Sequence, residues 1–204
     1  MPVTPMRAPS GWGAEQWAQL LAAPRRYGWH ATLRAPWRLA PGCAEDTLLT
    51  EVQALAREFS AFELPALRVR LLDGFAAICL EEPCEPLRAL ATQCVIALQP
   101  LAARLTAKEF ERYDDRGLTG RQQTQLSEWG YPYVLEDFRF HMTLTGPLGS
   151  LAPEQRGEIL AHAEMCFAGL PQPLWLDALS VYVEPQAGSF LRRVLRVPLS
   201  GSQR

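Results

Sequence analysis

Two histidines in this chain sit in short segments built alike. "RYGWHATLRAP", residues 26–36, aligns without gaps with "DFRFHMTLTGP", residues 137–147. His30 falls on His141, Thr32 on Thr143, Leu33 on Leu144 and Pro36 on Pro147, while Tyr27 and Trp29 meet Phe138 and Phe140. Both segments alternate. Trp29, Ala31 and Leu33 take one side of the first; Phe138, Phe140, Met142 and Leu144 take one side of the second. His30, Thr32 and Arg34 share the opposite side of the first segment; Arg139, His141, Thr143 and Thr145 share that of the second. Histidine titrates nearest neutrality, so one imidazole can take a proton while its protonated partner delivers another. A threonine hydroxyl two residues on can donate to an oxygen whose negative charge grows in the transition state. Two such units facing each other would bracket a phosphodiester, and the arrangement requires no metal. One His-x-Thr unit alone would read as a structural histidine; the pair in matching context carries the signal.

The elements around each copy also repeat. After the first, Leu48, Val52, Leu55 and Phe59 mark an amphipathic helix, and "LRVRLLDGFAAICLEEP" reads as a hairpin turning at Asp73 and Gly74. After the second, Leu160, Ala163, Phe167 and Leu170 mark a helix opening near Pro153 and closing near Gly169, followed by strands in "LWLDALSVYVEP" and "FLRRVLRVPL". Each half therefore predicts strand, helix, strand, strand, an order that favours antiparallel sheets with helices on one face. Between the halves, Leu87, Leu90, Cys94 and Leu98 predict a helix that Pro100 ends. Thr106 with Glu109, and Thr119 with Gln122, predict two capping boxes, the second helix stopping at Gly130. The expected organisation is a single bilobal α+β domain over 1–204, with duplicated antiparallel sheets and helices on the outer faces. Lobe one covers roughly 24–82, the connecting helices 85–130 and lobe two 131–200.

Composition narrows the function classes. The chain has 204 residues, a formal charge of -2 and is 48% hydrophobic, which suits a globular fold and not the broad basic surface that long nucleic acids require. Cys43, Cys79, Cys84, Cys94 and Cys166 are an odd set without a CxxC pair, so neither a disulfide framework nor a zinc site is expected. The sequence shows no signal-peptide pattern and no apolar run approaching the roughly 20 residues of a membrane helix, so cytoplasmic localisation is expected. Gly-rich phosphate loops, HExxH and GxSxG are absent from the sequence. His162, on the predicted helix of the second half, reads as a surface or boundary residue.

"HATL" at 30–33 and "HMTL" at 141–144, on the repeated layout, resemble the 2H phosphoesterase superfamily with its two H-x-[ST]-x motifs. "PRRYGWHATLRAPWRLAPG" and "LSEWGYPYVLEDFRFHMTLTGPL" resemble its bacterial branch of phosphonate-metabolism proteins, over roughly residues 24–195. The resemblance implies two lobes around a central cleft and hydrolysis of a phosphodiester on a ribose, with a ribose cyclic phosphate from carbon-phosphorus bond breakdown as the natural substrate. It also implies that His30 and His141 are the acid-base pair and Thr32 and Thr143 the phosphate donors. Arg34 and Arg139, on the histidine faces by parity, are expected to add charged phosphate contacts, while Tyr131 and Tyr133, after a helix stop, read equally as cleft lining or as apolar packing. Neither a cofactor nor a metal is expected; the partner is a small phosphorylated sugar or nucleotide, with no long nucleic acid and no membrane. That branch usually begins with an extra strand, where this chain has a Pro-rich start and a short helix. Two alternatives stand beside this reading: cleavage or ligation at RNA 2′,3′-cyclic or 2′,5′ linkages, and a non-catalytic module that binds nucleotides or RNA ends.

Overall fold

A computed structural model describes residues 6–170 and 172–201. The protein is a mixed α+β structure with antiparallel sheets. Helix α1, Ala14–Tyr27, contains Pro24 and is closed by Gly28 at φ 72°, a left-handed conformation that glycine adopts without steric cost. Helix α2, Glu45–Glu58, buries Leu48, Val52 and Leu55 as its stripe predicts. A two-residue strand β1, Phe62–Glu63, precedes the hairpin of β2, Leu67–Leu72, and β3, Phe75–Leu80. Asp73 and Gly74 turn it with φ of 45° and 87°, the positive pair that a tight hairpin turn demands.

Helix α3, Glu85–Leu98, buries Leu87, Leu90, Cys94 and Leu98 and passes into a short 3-10 turn that contains Pro100. Helices α4, Ala107–Glu111, and α5, Gly120–Trp129, open with the two expected capping boxes, and α5 ends at Gly130 with φ 76°. Strand β4, His141–Pro147, carries the second His-x-Thr copy. Helix α6, Pro153–Phe167, then leads to β5, Trp175–Leu176, and the hairpin of β6, Ala178–Val183, with β7, Arg192–Pro198. On α6 the fully buried residues are Ile159 and Ala163, so the apolar stripe is centred one residue earlier than expected.

Strand pairing interlocks the two halves. β4 joins the β2–β3 hairpin in a three-stranded antiparallel sheet, β1 pairs with β5, and β6 pairs with β7. α1 lies against β4, so close that a Cβ on Gly146 would stand 3.2 Å from the Leu20 carbonyl oxygen. Trp17 and Leu21 of α1 share a core with Ala76, Leu148 and Ile159. A second core gathers Ile78, Phe140 and Met142, with Trp29, Ala31 and Leu33 packed against it. A third joins α2 and α3 to Leu179 and Leu199.

The first copy is not a regular strand, contrary to expectation. Residues Arg26 and Tyr27 complete α1, Gly28 redirects the chain, and the segment runs on to bends at Leu33 and Arg34. The bend has a physical cause: the Arg34 guanidinium reaches the C-terminal end of α3, where it donates to the Val95 carbonyl, to the Cys94 carbonyl at 3.4 Å and to Gln99 Oε1 at 2.8 Å. Up to Leu33 the alternation holds, since Trp29, Ala31 and Leu33 all pack on the core.

Candidate active site

His30 and His141 are held in the same way. Nδ1 of His30 lies 3.0 Å from the Gly28 carbonyl oxygen, and Nδ1 of His141 lies 2.9 Å from the Arg139 carbonyl oxygen. A carbonyl oxygen only accepts, so Nδ1 carries the proton in both rings. Each Nε2 is left to accept a proton when its ring is neutral and to donate one when it is charged. Both partners are two residues back in the chain, so the two copies agree in side-chain geometry as well as in sequence. His162 is wired the opposite way: its Nε2 donates to the Arg7 carbonyl at 2.7 Å, and its ring meets Trp17 edge-on at 5.9 Å.

The two copies touch through their core faces. The Trp29 indole N–H, next to His30, points at the Met142 sulfur, next to His141, at 2.7 Å. Trp29 also packs edge-on to Phe167 at 4.7 Å. Each histidine then borrows an aromatic wall from a hairpin: Tyr182 of β6 lies 6.2 Å from His30, as does Tyr27, and Phe75 of β3 lies 5.8 Å from His141. The Leu191 N–H donates to the Arg26 carbonyl at 3.1 Å, tying the β6–β7 hairpin to the start of the first copy.

On the three-stranded sheet, register defines the surroundings of the second copy. His141 stands opposite Cys79 and Thr143 opposite Ala77, while Arg68 and Arg70 of β2 face those same two β3 residues. Arg70 therefore shares a sheet face with Thr143, separated by one small side chain. Arg68 is paired with Glu81; among the described residues Arg70 has no carboxylate partner. Burial pushes the Cys79 thiol above its ordinary range, while Arg70 and Arg139 pull against that shift, so both cations lie within electrostatic reach of the strand facing His141.

Other predicted residues fall in different places. Thr32 and Thr143 are both partly buried. Thr145 leaves the histidine face: it is 1% exposed, and its hydroxyl accepts the Ala76 N–H at 3.0 Å. The bulge between Phe75 and Ala77 shifts the register there and breaks the alternation. Arg34 is also corrected, because its guanidinium is occupied by the end of α3 and stacks over Trp37 at 4.7 Å. Burial lowers Arg34 to about 10. Arg139 stays on the surface, gripping Asp73 with two contacts of 2.5 and 3.3 Å and lying 5.4 Å from the Tyr133 ring. Tyr131 and Tyr133 meet edge-on at 5.5 Å.

Sequence reasoning missed Tyr182 and Phe75, which pack beside the histidines, and Arg70, which strand register brings to the Thr143 side of the sheet. Arg70 alone carried a signal, since the Asp73-Gly74 turn fixes the hairpin register and so puts it opposite Ala77. A cavity of about 510 Å³ is lined by Trp37, Arg38, Gln99, Glu109 and Trp129 and by neither histidine. No group of three or more potential metal ligands occurs among the described residues, and none of their helices is long and apolar enough to cross a membrane.

Fold and site together define an α+β protein in which two His-x-Thr segments are packed on one shared core. Within that class the chain belongs to the DUF1045 family, described as a protein of unknown function, which matches residues 32–192. It is similar to two bacterial proteins, each named ribose 1,5-bisphosphate phosphokinase PhnN. The one from Laribacter hongkongensis (strain HLHK9) is 38% identical over 201 residues, 97% of this chain and 46% of that protein. The one from Janthinobacterium sp. (strain Marseille) is 39% identical over 186 residues, 90% of this chain and 41% of that protein. The chain thus spans less than half the length of these relatives.

Proposed function

We propose that the chain is a 2H-type phosphodiesterase that hydrolyses a cyclic phosphate on a ribose, with His30 and His141 as the acid-base pair and Thr32 and Thr143 as donors to the phosphate oxygens. The observation that carries this reading is the shared wiring of the histidines, Nδ1 on the carbonyl two residues back in both copies, in segments that touch through Trp29 and Met142. One neutral imidazole takes a proton from water at Nε2 while the water oxygen bonds to phosphorus. The bond from phosphorus to one ribose oxygen breaks, and the other, protonated imidazole gives its Nε2 proton to that oxygen. One water is consumed, and the products are a phosphate monoester and a ribose hydroxyl. Thr143 meets the growing negative charge beside His141, and Arg139 adds to it by exchanging its Asp73 contact for a phosphate oxygen.

The relatives support a small phosphorylated ribose and a place in phosphonate metabolism. Opening a 1,2-cyclic phosphate of ribose 5-phosphate at its O2 side gives ribose 1,5-bisphosphate, the compound in the name those relatives carry. Hydrolysis by this chain would supply the substrate for such a kinase. We assign the phosphokinase activity in that name to the part of the relatives that this chain does not match, because the 204-residue sequence contains no GxxxxGK[ST] loop. The test is a phosphorus NMR screen that compares ribose 1,2-cyclic phosphates with 2′,3′-cyclic nucleotides. The reading expects the ribose 1,2-cyclic phosphates to be opened fastest. Preference for 2′,3′-cyclic nucleotides would move the substrate to RNA ends, and saturable binding without turnover of any compound would leave a binding module.

A further inference from the structure

From Arg139 a line of phenols and guanidinium groups leads away from His141. Arg139 lies against Tyr133, Tyr133 meets Tyr131, Tyr131 meets Tyr113 at 6.4 Å, and the Arg116 guanidinium lies 5.1 Å from the Tyr113 ring. Tyr113 and Arg116 come from the connection between α4 and α5, a separate stretch of chain brought over the residues that precede β4. None of the three tyrosine hydroxyls has a hydrogen-bond partner among the described residues, and the three side chains are half-buried, so their hydroxyls are uncommitted donors. Arg116 is exposed, has no carboxylate partner among the described residues, and spends only its Nε on the Arg112 carbonyl at 3.3 Å. Desolvation raises Tyr131 above its ordinary range while Arg116 and Arg139 both act to lower it, as expected if the two cations stand within reach of its hydroxyl. Neutral phenolic donors set between two guanidinium groups suit a phosphate monoester, whose oxygens only accept.

We propose that Tyr113, Tyr131 and Arg116, with Arg139 at the boundary toward His141, form a second anion subsite that holds the 5-phosphate of a ribose whose cyclic phosphate lies between the histidines. The inference rests on the proposed function for its catalytic half; the subsite itself is a claim about binding. Arg139 then stands at the boundary of the two phosphates, with its backbone carbonyl on His141 and its guanidinium, held by Asp73, beside Tyr133; a phosphate there would compete with the Asp73 carboxylate for it. The site selects substrates by a terminal phosphate monoester, a group that a nucleoside 2′,3′-cyclic phosphate lacks.

Two measurements on the full chain test it, using Arg116→Ala and, as a variant that removes only a hydroxyl, Tyr113→Phe. In calorimetric titrations with ribose 5-phosphate, the wild type binds, and Arg116→Ala weakens binding about 10- to 100-fold, the scale of a lost hydrogen bond to a charged group. In steady-state assays, Arg116→Ala raises KM for the cyclic phosphate of ribose 5-phosphate at least about 10-fold more than for the same cyclic phosphate without the 5-phosphate. Equal affinity of the wild type and Arg116→Ala for ribose 5-phosphate, or equal KM changes for the two cyclic substrates, would overturn the subsite. If the wild type turns over neither cyclic substrate yet Arg116→Ala still loses ribose 5-phosphate binding, the subsite stands and the catalytic reading falls.

Discussion

His30 and His141 each commit Nδ1–H to a carbonyl two residues back, which fixes the ring and leaves Nε2 for proton transfer. If one ring must be neutral and the other charged, the rate rises and then falls with pH, and replacing either histidine by alanine lowers kcat by about 10²–10⁴-fold. Stopped assays across the neutral range measure both. Thr32→Val and Thr143→Val are expected to cost up to about 10²–10³-fold, the effect of losing one preorganised donor to a developing oxyanion. Arg34→Ala should behave differently. It strips partners from carbonyls at the end of α3, so denaturant unfolding should show a loss of about 1–3 kcal/mol, while kcat of the folded protein falls less than for either histidine variant. Parity along the sequence placed Trp29, Ala31 and Leu33 on the core side. It failed at Arg34, where a side chain drawn to α3 bends the backbone, and at Thr145, where a bulge turns the strand over. Neither event has a local sequence signature, because each depends on a partner far along the chain.

At the scale of elements, the helices were legible because their causes are local. Two capping boxes, the stripes of α2 and α3, and the positive φ of Gly130 all rest on residues a few positions apart. Glu109 anchors one of these caps: the Arg38 hydrogen bond, helped by Thr106, holds its carboxyl at about 2, below the ordinary 4.5. A depressed carboxylate stabilises the fold fully above its ordinary pKa, and the contribution fades as pH falls toward about 2. Between pH 4.5 and 2 the stability gap between the wild type and Glu109→Gln should therefore shrink, as thermal unfolding at several pH values would show. The close approach of α1 to β4 gives a second check. Gly146→Ala would press a methyl against the Leu20 carbonyl, and an overpacking cost of about 1–3 kcal/mol is expected in the same unfolding assay. Strand pairing was not legible, since the hairpin after the first copy pairs with the second copy, and antiparallel register is decided by packing between distant segments.

Over the whole molecule, two histidine segments far apart in sequence meet on one core, and the chain is similar over most of its length to relatives named for ribose 1,5-bisphosphate. If, as proposed, the chain supplies this compound and does not phosphorylate it, ATP and ribose 1,5-bisphosphate given together should stay unchanged, which phosphorus NMR reads directly. Proton transfer by imidazoles also predicts that turnover of a ribose cyclic phosphate persists in excess EDTA. The central claim is that His30 and His141 serve one transition state, and the most direct measurement is kcat for a ribose 1,2-cyclic phosphate in the wild type, His30→Ala, His141→Ala and the double variant. The account predicts that both single variants lose about 10²–10⁴-fold and that the double variant loses far less than the product of the two, because the residues act as a unit. A folded single variant that keeps near-full turnover, or losses that multiply in the double variant, would contradict it.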